Sequence, residues 1–534
     1  SVTVTEVLEL AVTNTNATGT GSLHEAILNA NANTGVTETI TFNIPGAGPH
    51  VINLTAALPT ITDSVIIDGT TDLDYAGTPM IVLDGSAAGS VSGITLSANN
   101  STIRGLVINN FAQNGILING NGNTIAGNYI GVDATGLLDR GNGLDGVQIN
   151  GDNNTIGGTV LTDRNVISGN GDEGIDINAG ATGTIIHGNY VGTNASGTAA
   201  IPNGAGGIGN WGGILVGGDN TIIGGSNPGE GNLVSGNHSW GIIVESNNNV
   251  VQGNMIGTQA DGTSALGNTG HGIVVTDYAG GSNNLIGGTT AGAGNVIANN
   301  GLDGIAATGS INATILGNTI LNNTAAGIDL GDDDVTANDA GDVDTGANDL
   351  QNFPVIATAE LVATNLTLSG TLATDGPNTQ YRIEFYGNVA GSQDATNGEG
   401  SVYLGSTLLA TDASGNAAFS GITISGVTLN VGDYVTATAT RVVNAAQIGV
   451  DDQAAYGATS EFADNFLINN LPVAVGDSYT AVEGIPYTAE LGLNDLLLND
   501  SDIDGDTLTV NTTPVAGPAN GVLVLNSDGT FTYT

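Results

Sequence analysis

Hydrophobic residues in this chain come in short pulses of two to four, each closed by Asn or Gly, and the pulses repeat. Between Gly146 and Gly192 they read GVQINGDNNTIGG, NVISGNGDEGIDIN and GTIIHGNYVG. NVISGN at Asn165 returns as NLVSGN at Asn232 and NVIANN at Asn295, and GNYIG at Gly127 returns as GNYVG at Gly188 and GNMIG at Gly253. Equivalent phrases lie about 61 to 67 residues apart, and the glycines opening the first pulse (Gly115, Gly146, Gly174, Gly213, Gly241, Gly272, Gly304, Gly327) recur about every 30. A single unit of this size cannot bury its own apolar face, so the period predicts stacked coils. Alternate positions such as Val147/Ile149, Ile175/Ile177 and Ile242/Val244 point inward with the two-residue period of a strand. Three parallel strands per coil with no helical periodicity between them predict a parallel β-helix, right-handed like nearly all parallel crossovers.

One polar column sets the expected register. The residue before the third strand is Asn128, Asn165, Asn189, Asn232, Asn254, Asn295 and Asn318 in successive coils. Asparagine tolerates the left-handed conformation of a sharp corner, and its amide can bond to the Asn one coil away, forming a ladder. Insertions such as GVDATGLLDRGNG and GGTVLTDR are rich in Gly, Asp, Asn and Ser and read as outward turns.

Upstream, SVTVT alternates like an edge strand. Ser22 and Glu25 make a capping box for a helix whose Leu23, Ala26, Ile27 and Ala30 share one face, which predicts a lid on the first coil. Downstream of Gly327, the acidic stretch GDDDVTANDAGDVDTGANDLQNFP is expected to close the far end, around calcium. Longer strands at sandwich spacing follow, and a last segment carries NDSDIDGDTLTV and NSDGTFTYT without a closing strand. The expected all-β organisation is an N-terminal strand and capping helix over 1–38, a right-handed parallel β-helix over 39–350, an Ig-like β-sandwich over 351–465, and an incomplete cadherin-like β-sandwich over 466–534.

Charge narrows the partners. There are 51 acidic residues against five arginines and no lysine, a formal charge of −46. Such a surface repels nucleic acid and anionic membrane and favours divalent cations. With no cysteine there are no disulfides, thiolate ligands or cysteine nucleophiles. No apolar run is long enough to span a bilayer. The start at Ser1 without a Met suggests a removed leader or a section of a longer protein.

Candidate chemistry is sparse. Asp500, Asp502, Asp504 and Asp506 around Gly505 alternate as a calcium loop would, although Asn511 stands where an EF-hand wants Glu. The residue before each coil glycine forms a second column: Asn114, Asp145, Glu173, Gly212, Trp240, His271, Asp303, Ala326. Asp145 and Glu173 on adjacent coils could lie about 5 Å apart, a retaining glycosidase spacing, with Trp240 to stack a sugar and His271 to move a proton. A variable turn column accepting any polar residue explains the same letters. Outward residues Leu215, Ile243, Val274 and Ala306 put apolar groups on four consecutive coils, which predicts a contact surface with another part of the chain or another subunit.

The order of phrases resembles a family of bacterial secreted and surface β-helix proteins whose N-terminal signature is Cys-Ser-Leu-Arg-Glu-Ala; here it reads Gly21-Ser22-Leu23-His24-Glu25-Ala26. TFNIPGAG, LPTITDSVIIDGTT and YAGTPMIVLDGS are similar to that family too, and the C-terminal phrases resemble cadherin-like repeats of bacterial adhesins. The resemblance implies an extracellular structural or adhesive protein without a known reaction, a unit of a surface layer, sheath or filament. Its expected partners are copies of itself or other surface proteins, and glycans. Strand addition of Ser1–Thr5 to the open C-terminal sandwich of the next subunit is one assembly route. The expectation is therefore not an enzyme. The alternatives are a glycosidase or lyase using the Asp145–Glu173 region, or a carbohydrate-binding β-helix. Lyase chemistry is disfavoured because no Lys and only three of the arginines fall in the helix.

Overall fold

The computed structural model describes residues 9–206, 212–278, 280–309, 312–390, 397–470, 472–502 and 505–534; the Ser1–Thr5 strand and Asp504 lie outside them. Residues 11–330 wind into a right-handed parallel β-helix whose walls are parallel sheets of eleven, ten and nine strands. The nine-stranded sheet, from Ile94–Leu96 through Val147–Ile149, Ile175–Ile177, Trp240–Val244 and Ile273–Thr276 to Ile328–Leu330, carries the residues of chemical interest. Strands of two to five residues suffice because each coil is finished by its neighbours rather than by itself. Inward residues Ile116, Val147, Ile175, Ile242 and Ile273 are fully enclosed in one continuous apolar core.

Pairing is strictly in register: Val147 sits beside Ile116 and Ile175, and Ile242 beside Ile214 and Ile273. The coil glycines have a steric reason. A Cβ on Gly146 would stand 2.6 Å from the carbonyl oxygen of Gly174 and 2.5 Å from Ile167 Cγ2, so the coils stack only where a side chain is missing.

The asparagine column forms a hydrogen-bonded stack. Nδ2 of Asn128 donates to Oδ1 of Asn165 (3.1 Å), and the same bond continues through Asn189, Asn232, Asn254 and Asn295 to Asn318 at 2.9–3.0 Å. Each amide also donates to a backbone carbonyl, as Asn165 does to Ile125 (2.8 Å). None of these asparagines is left-handed; the preceding Gly127, Gly188, Gly253 and Gly317 take φ of 61–68° instead. At those four coils the left-handed conformation falls on glycine, which accepts it, and in all seven Asn serves through its amide.

A second stack escaped the sequence reading. Asn142, Asn170, Asn203, Asn237, Asn268, Asn300 and Asn323 bond side chain to side chain at 2.9–3.0 Å. Its end is closed by Glu399, whose Oε1 accepts from Asn323 Nδ2 at 3.0 Å.

Both ends of the solenoid are plugged. Helix Leu23–Ala32 buries Leu23, Ala26, Ile27 and Ala30 against the first coil, with Ser22 Oγ accepting from the Glu25 N–H. At the far end the acidic stretch supplies only part of the closure, through Ala347 and Asn348, the latter accepting from Ala313 N–H. The antiparallel sandwich that follows, with sheets of three and five strands, does the rest. Tyr386 and Phe462 complete the helix core, and the last coil's Ile315, Gly317 and Leu330 N–H groups donate to Thr459, Glu384 and Glu461. An acidic strand could not have met that exposed apolar layer, whereas aromatic side chains can. Beyond Asn469 a small antiparallel sheet pairs Tyr487–Ala489 and Leu523–Leu525 with Phe531–Tyr533. Among the described residues no helix is long and apolar enough to cross a membrane.

Candidate functional site

The second asparagine stack fixes the column of variable residues. Each of its members but Asn203 lies three residues before a column position: Asn142 before Asp145, Asn170 before Glu173, Asn237 before Trp240, Asn268 before His271, Asn300 before Asp303. The signal Asn-x-x-x-Gly was therefore present in the sequence, spelling an anchored corner, one free position and the stacking glycine. Strand register aligns the free positions: Asn114, Asp145, Glu173, Gly212, Trp240, His271 and Asp303 follow one another coil by coil.

At one end of this column Asp145, Asp172 and Glu173 each bring a carboxylate oxygen within 4.8 Å of the others. Asp145 and Glu173 are only 4% exposed although they sit on the outside of the coil, close enough for each carboxyl to feel the other. Burial raises both above the ordinary carboxylate range; Glu173 is raised further because it keeps its proton beside the Asp145 charge. Burial also raises Asp176, whose Oδ2 accepts from Gln148 Nε2 (3.1 Å), and Gln148 in turn accepts from Asn114 Nδ2 (3.1 Å). That outward row holds the acid pair from the side. Among the described ion pairs no arginine or histidine reaches Asp145, Asp172, Glu173 or Asp176. Buried carboxyls without a cation cost stability, and such arrangements concentrate where chemistry is done.

Farther along the column Trp240 is half-buried with its ring 6.1 Å from that of His271. His271 and Asp303 are both enclosed, with Nδ1 2.9 Å from Asp303 Oδ2 and Nε2 3.6 Å from Asp332 Oδ1. Of the outward strip, Ile243, Val274 and Ala306 form a cluster already covered within this chain, and Leu215 is half-buried beside them. The strip is thus largely spent on intramolecular packing.

Of the four acids of the expected calcium loop, Asp504 lies outside the described residues and the other three accept local hydrogen bonds. Asp500 accepts from Val475 N–H (2.7 Å), Asp502 accepts from Asp506 N–H (3.2 Å), and Asp506 accepts from Asn469 Nδ2 (2.8 Å). In the acidic stretch Asp339, Asp342 and Asp344 do converge, with burial pushing Asp342 up to about 6 against the N–H bonds it accepts from Asn352 and Asp375.

Fold and site together define an all-β protein in which a right-handed parallel β-helix displays buried acid groups on its outer face, followed by antiparallel β-sandwich sheets. Residues 469–534 match the bacterial cadherin-like domain. Among solved structures the chain is similar to an alginate lyase from Paenibacillus sp. str. FPU-7, at 17% identity over 58% of this chain and 94% of that one, with a TM-score of 0.32. It is also similar to the enzymatically active domain of bacteriophage CBA120 tailspike protein 2, at 14% identity over 84% and 76%, with a TM-score of 0.26. The pectate lyase Pel9A gives 15% identity over 62% and 82%, with a TM-score of 0.24. At these values the likeness concerns the fold alone. The expectation of a structural, adhesive, filament-forming protein that is not an enzyme is corrected here: the solved proteins of similar fold are lyases and an enzymatically active tailspike domain.

Proposed function

We propose that the protein is a carbohydrate-active enzyme that hydrolyses glycosidic bonds at the Asp145–Glu173 pair. The observation that carries this reading is two buried carboxyls on adjacent coils with oxygens within 4.8 Å of each other and, among the described ion pairs, no cation to neutralise them. Glu173, protonated, supplies the proton to the departing glycosidic oxygen; Asp145, ionised, faces the oxocarbenium-like centre as nucleophile. Their oxygens lie within 4.8 Å of each other, nearer the ~5–5.5 Å of a retaining pair than the ~6.5–9.5 Å that an inverting pair needs for an intervening water, so the expected outcome is retention at the anomeric carbon. Asp172 raises the cost of ionising both and so keeps the acid charged with its proton. Trp240, in the same column, offers an aromatic face to a sugar farther along the chain.

The net charge of −46 argues for a neutral or cationic polysaccharide, because a polyanion would be repelled by so acidic a surface. Elimination chemistry fits poorly for the same reason. A polymeric substrate and a bacterial cadherin-like segment support action outside the cell. Calcium at Asp500, Asp502 and Asp506, with Asp504, is part of this proposal as a stabilising ion rather than a reactant.

The test is reducing-end release from a panel of neutral and amino-sugar polysaccharides by wild type and Glu173→Gln. Release by wild type that is lost in the variant, with unchanged circular dichroism, supports the reading; equal release by both, or release from no member of the panel, defeats it.

A further inference from the structure

Four groups of three potential ligands stand on the described surface, and only two contain a nitrogen donor. In the first, His50 already bonds to Asp74 (3.2 Å), while the carboxylates of Asp72 and Asp74 accept from the N–H groups of Ile44, Asp74 and Gly48. Those contacts spend the ligands on holding a loop. The second group, His271, Asp303 and Asp332, is different.

His271 is 5% exposed, yet its Nδ1 makes no hydrogen bond, although Asp303 Oδ2 stands 2.9 Å away. The oxygen is near enough but off the line along which that nitrogen would donate or accept. Two ligand atoms bound at about 2.05 Å on one ion lie about 2.9 Å apart at the ~90° of octahedral coordination and about 3.3 Å apart at the tetrahedral angle, and in either case neither points at the other. Asp303 is itself enclosed and held, its Oδ1 accepting from Ala326 N–H at 2.7 Å, which leaves Oδ2 directed at the histidine. Asp332, half-exposed on the loop after Ile328–Leu330, brings Oδ1 to 3.6 Å from Nε2. One ligand atom from each of the three residues lies within 4.8 Å of the others. The Asp332 carboxylate is 48% exposed, so the group opens to solvent on that side.

We propose that His271, Asp303 and Asp332 bind a divalent cation of the zinc class, separate from the Asp145–Glu173 pair. The donor set decides the class. Calcium and magnesium take oxygen ligands almost exclusively, whereas one imidazole with two carboxylates suits Zn²⁺, Co²⁺, Ni²⁺ or Mn²⁺. With Nδ1 and Asp303 on the ion, Asp332 either completes the protein ligands or takes the Nε2 proton and fixes the ring, the second-layer arrangement that metal-bound histidines use. The sequence column placed His271 and Asp303 on adjacent coils; Asp332 joins them only through the fold.

The experiment uses the full chain stripped with chelator and titrated with ZnCl₂ by calorimetry, in about 0.15 M salt with millimolar Ca²⁺ present to mask diffuse binding to the acidic surface. Co²⁺ is followed separately by quenching of Trp240, whose ring lies 6.1 Å from His271. Saturable zinc uptake that Ca²⁺ does not displace is expected, weakened at least about tenfold in His271→Ala and Asp303→Asn. Asp332→Asn, at an exposed loop position that does not bear on folding, is expected to weaken it as well. Asp145→Asn and His50→Ala should bind as wild type does, so the result is independent of any glycan cleavage. No zinc uptake by wild type, uptake lost in His50→Ala, or full uptake by both His271→Ala and Asp332→Asn would overturn the proposal.

Discussion

Asp145 and Glu173 stand on adjacent coils with carboxylate oxygens within 4.8 Å of each other, 4% exposed and, among the described ion pairs, without a cation to offset either charge. Two acids in that relationship can share one proton but cannot both ionise at neutral pH without strong repulsion. The first prediction follows from the proton. Replacing the acid by its amide in Glu173→Gln removes transfer to the leaving group and should lower kcat about 10²–10⁴-fold with little change in KM. Steady-state kinetics on the substrate found in the polysaccharide panel checks it.

The same pair makes stability depend on pH. Its carboxyls are raised above their unfolded values, so the folded state binds more protons than the unfolded chain between the ordinary carboxylate range and the raised one. Stability is fully present at acid pH and is lost as pH rises through the raised values; Glu461, pushed up to about 8 by burial, acts in the same direction. Melting should therefore occur at a higher temperature at about pH 5 than at about pH 8, and Glu173→Gln should recover about 2 °C at the alkaline end only. Calorimetry across that window would expose the opposite slope if the sign is wrong.

Trp240 lies two coils from Glu173 and one from His271. Trp240→Ala should raise KM for long glycans about tenfold while leaving kcat within a factor of two or so, because the ring binds sugar remote from the broken bond. Short oligosaccharides should show no difference.

Asn165 is fully enclosed and satisfies Ile125 C=O, the Asn128 N–H and the amides on both sides. Asn165→Ala leaves several of these groups unpaired, at about 1–3 kcal/mol each, so a loss of about 3 kcal/mol is expected in urea unfolding. Asn203→Ala, in the second stack, should cost a similar amount.

Ile243 is 1% exposed within the single chain. Ile243→Asp should lower the stability of the monomer by about 3 kcal/mol or more, since it places a charge in a covered apolar cluster. A variant as stable as wild type would mean that the strip is open after all.

The coil period, the inward isoleucines and valines and the first asparagine column were legible because stacking forces the same residue types to recur at the same corner. A repeating physical demand leaves a repeating letter. The second stack was equally regular, but its asparagines follow loops of unequal length, such as the one before Asn203, and their shared place appears only through Asn-x-x-x-Gly.

Sequence by itself thus determined the solenoid, its register and the column on which Asp145, Glu173, Trp240, His271 and Asp303 follow one another. Tertiary structure alone decided which of those letters matter. Burial on the outer face, which no local pattern encodes, turns Asp145 and Glu173 from solvated turn acids into a pair held above the ordinary carboxylate range. The closure of the last coil by Tyr386 and Phe462, and the return of Asp332 beside His271, are contacts between segments of unlike sequence. A periodic pattern reports what each coil demands of the next, and only the folded chain brings together groups that no period relates.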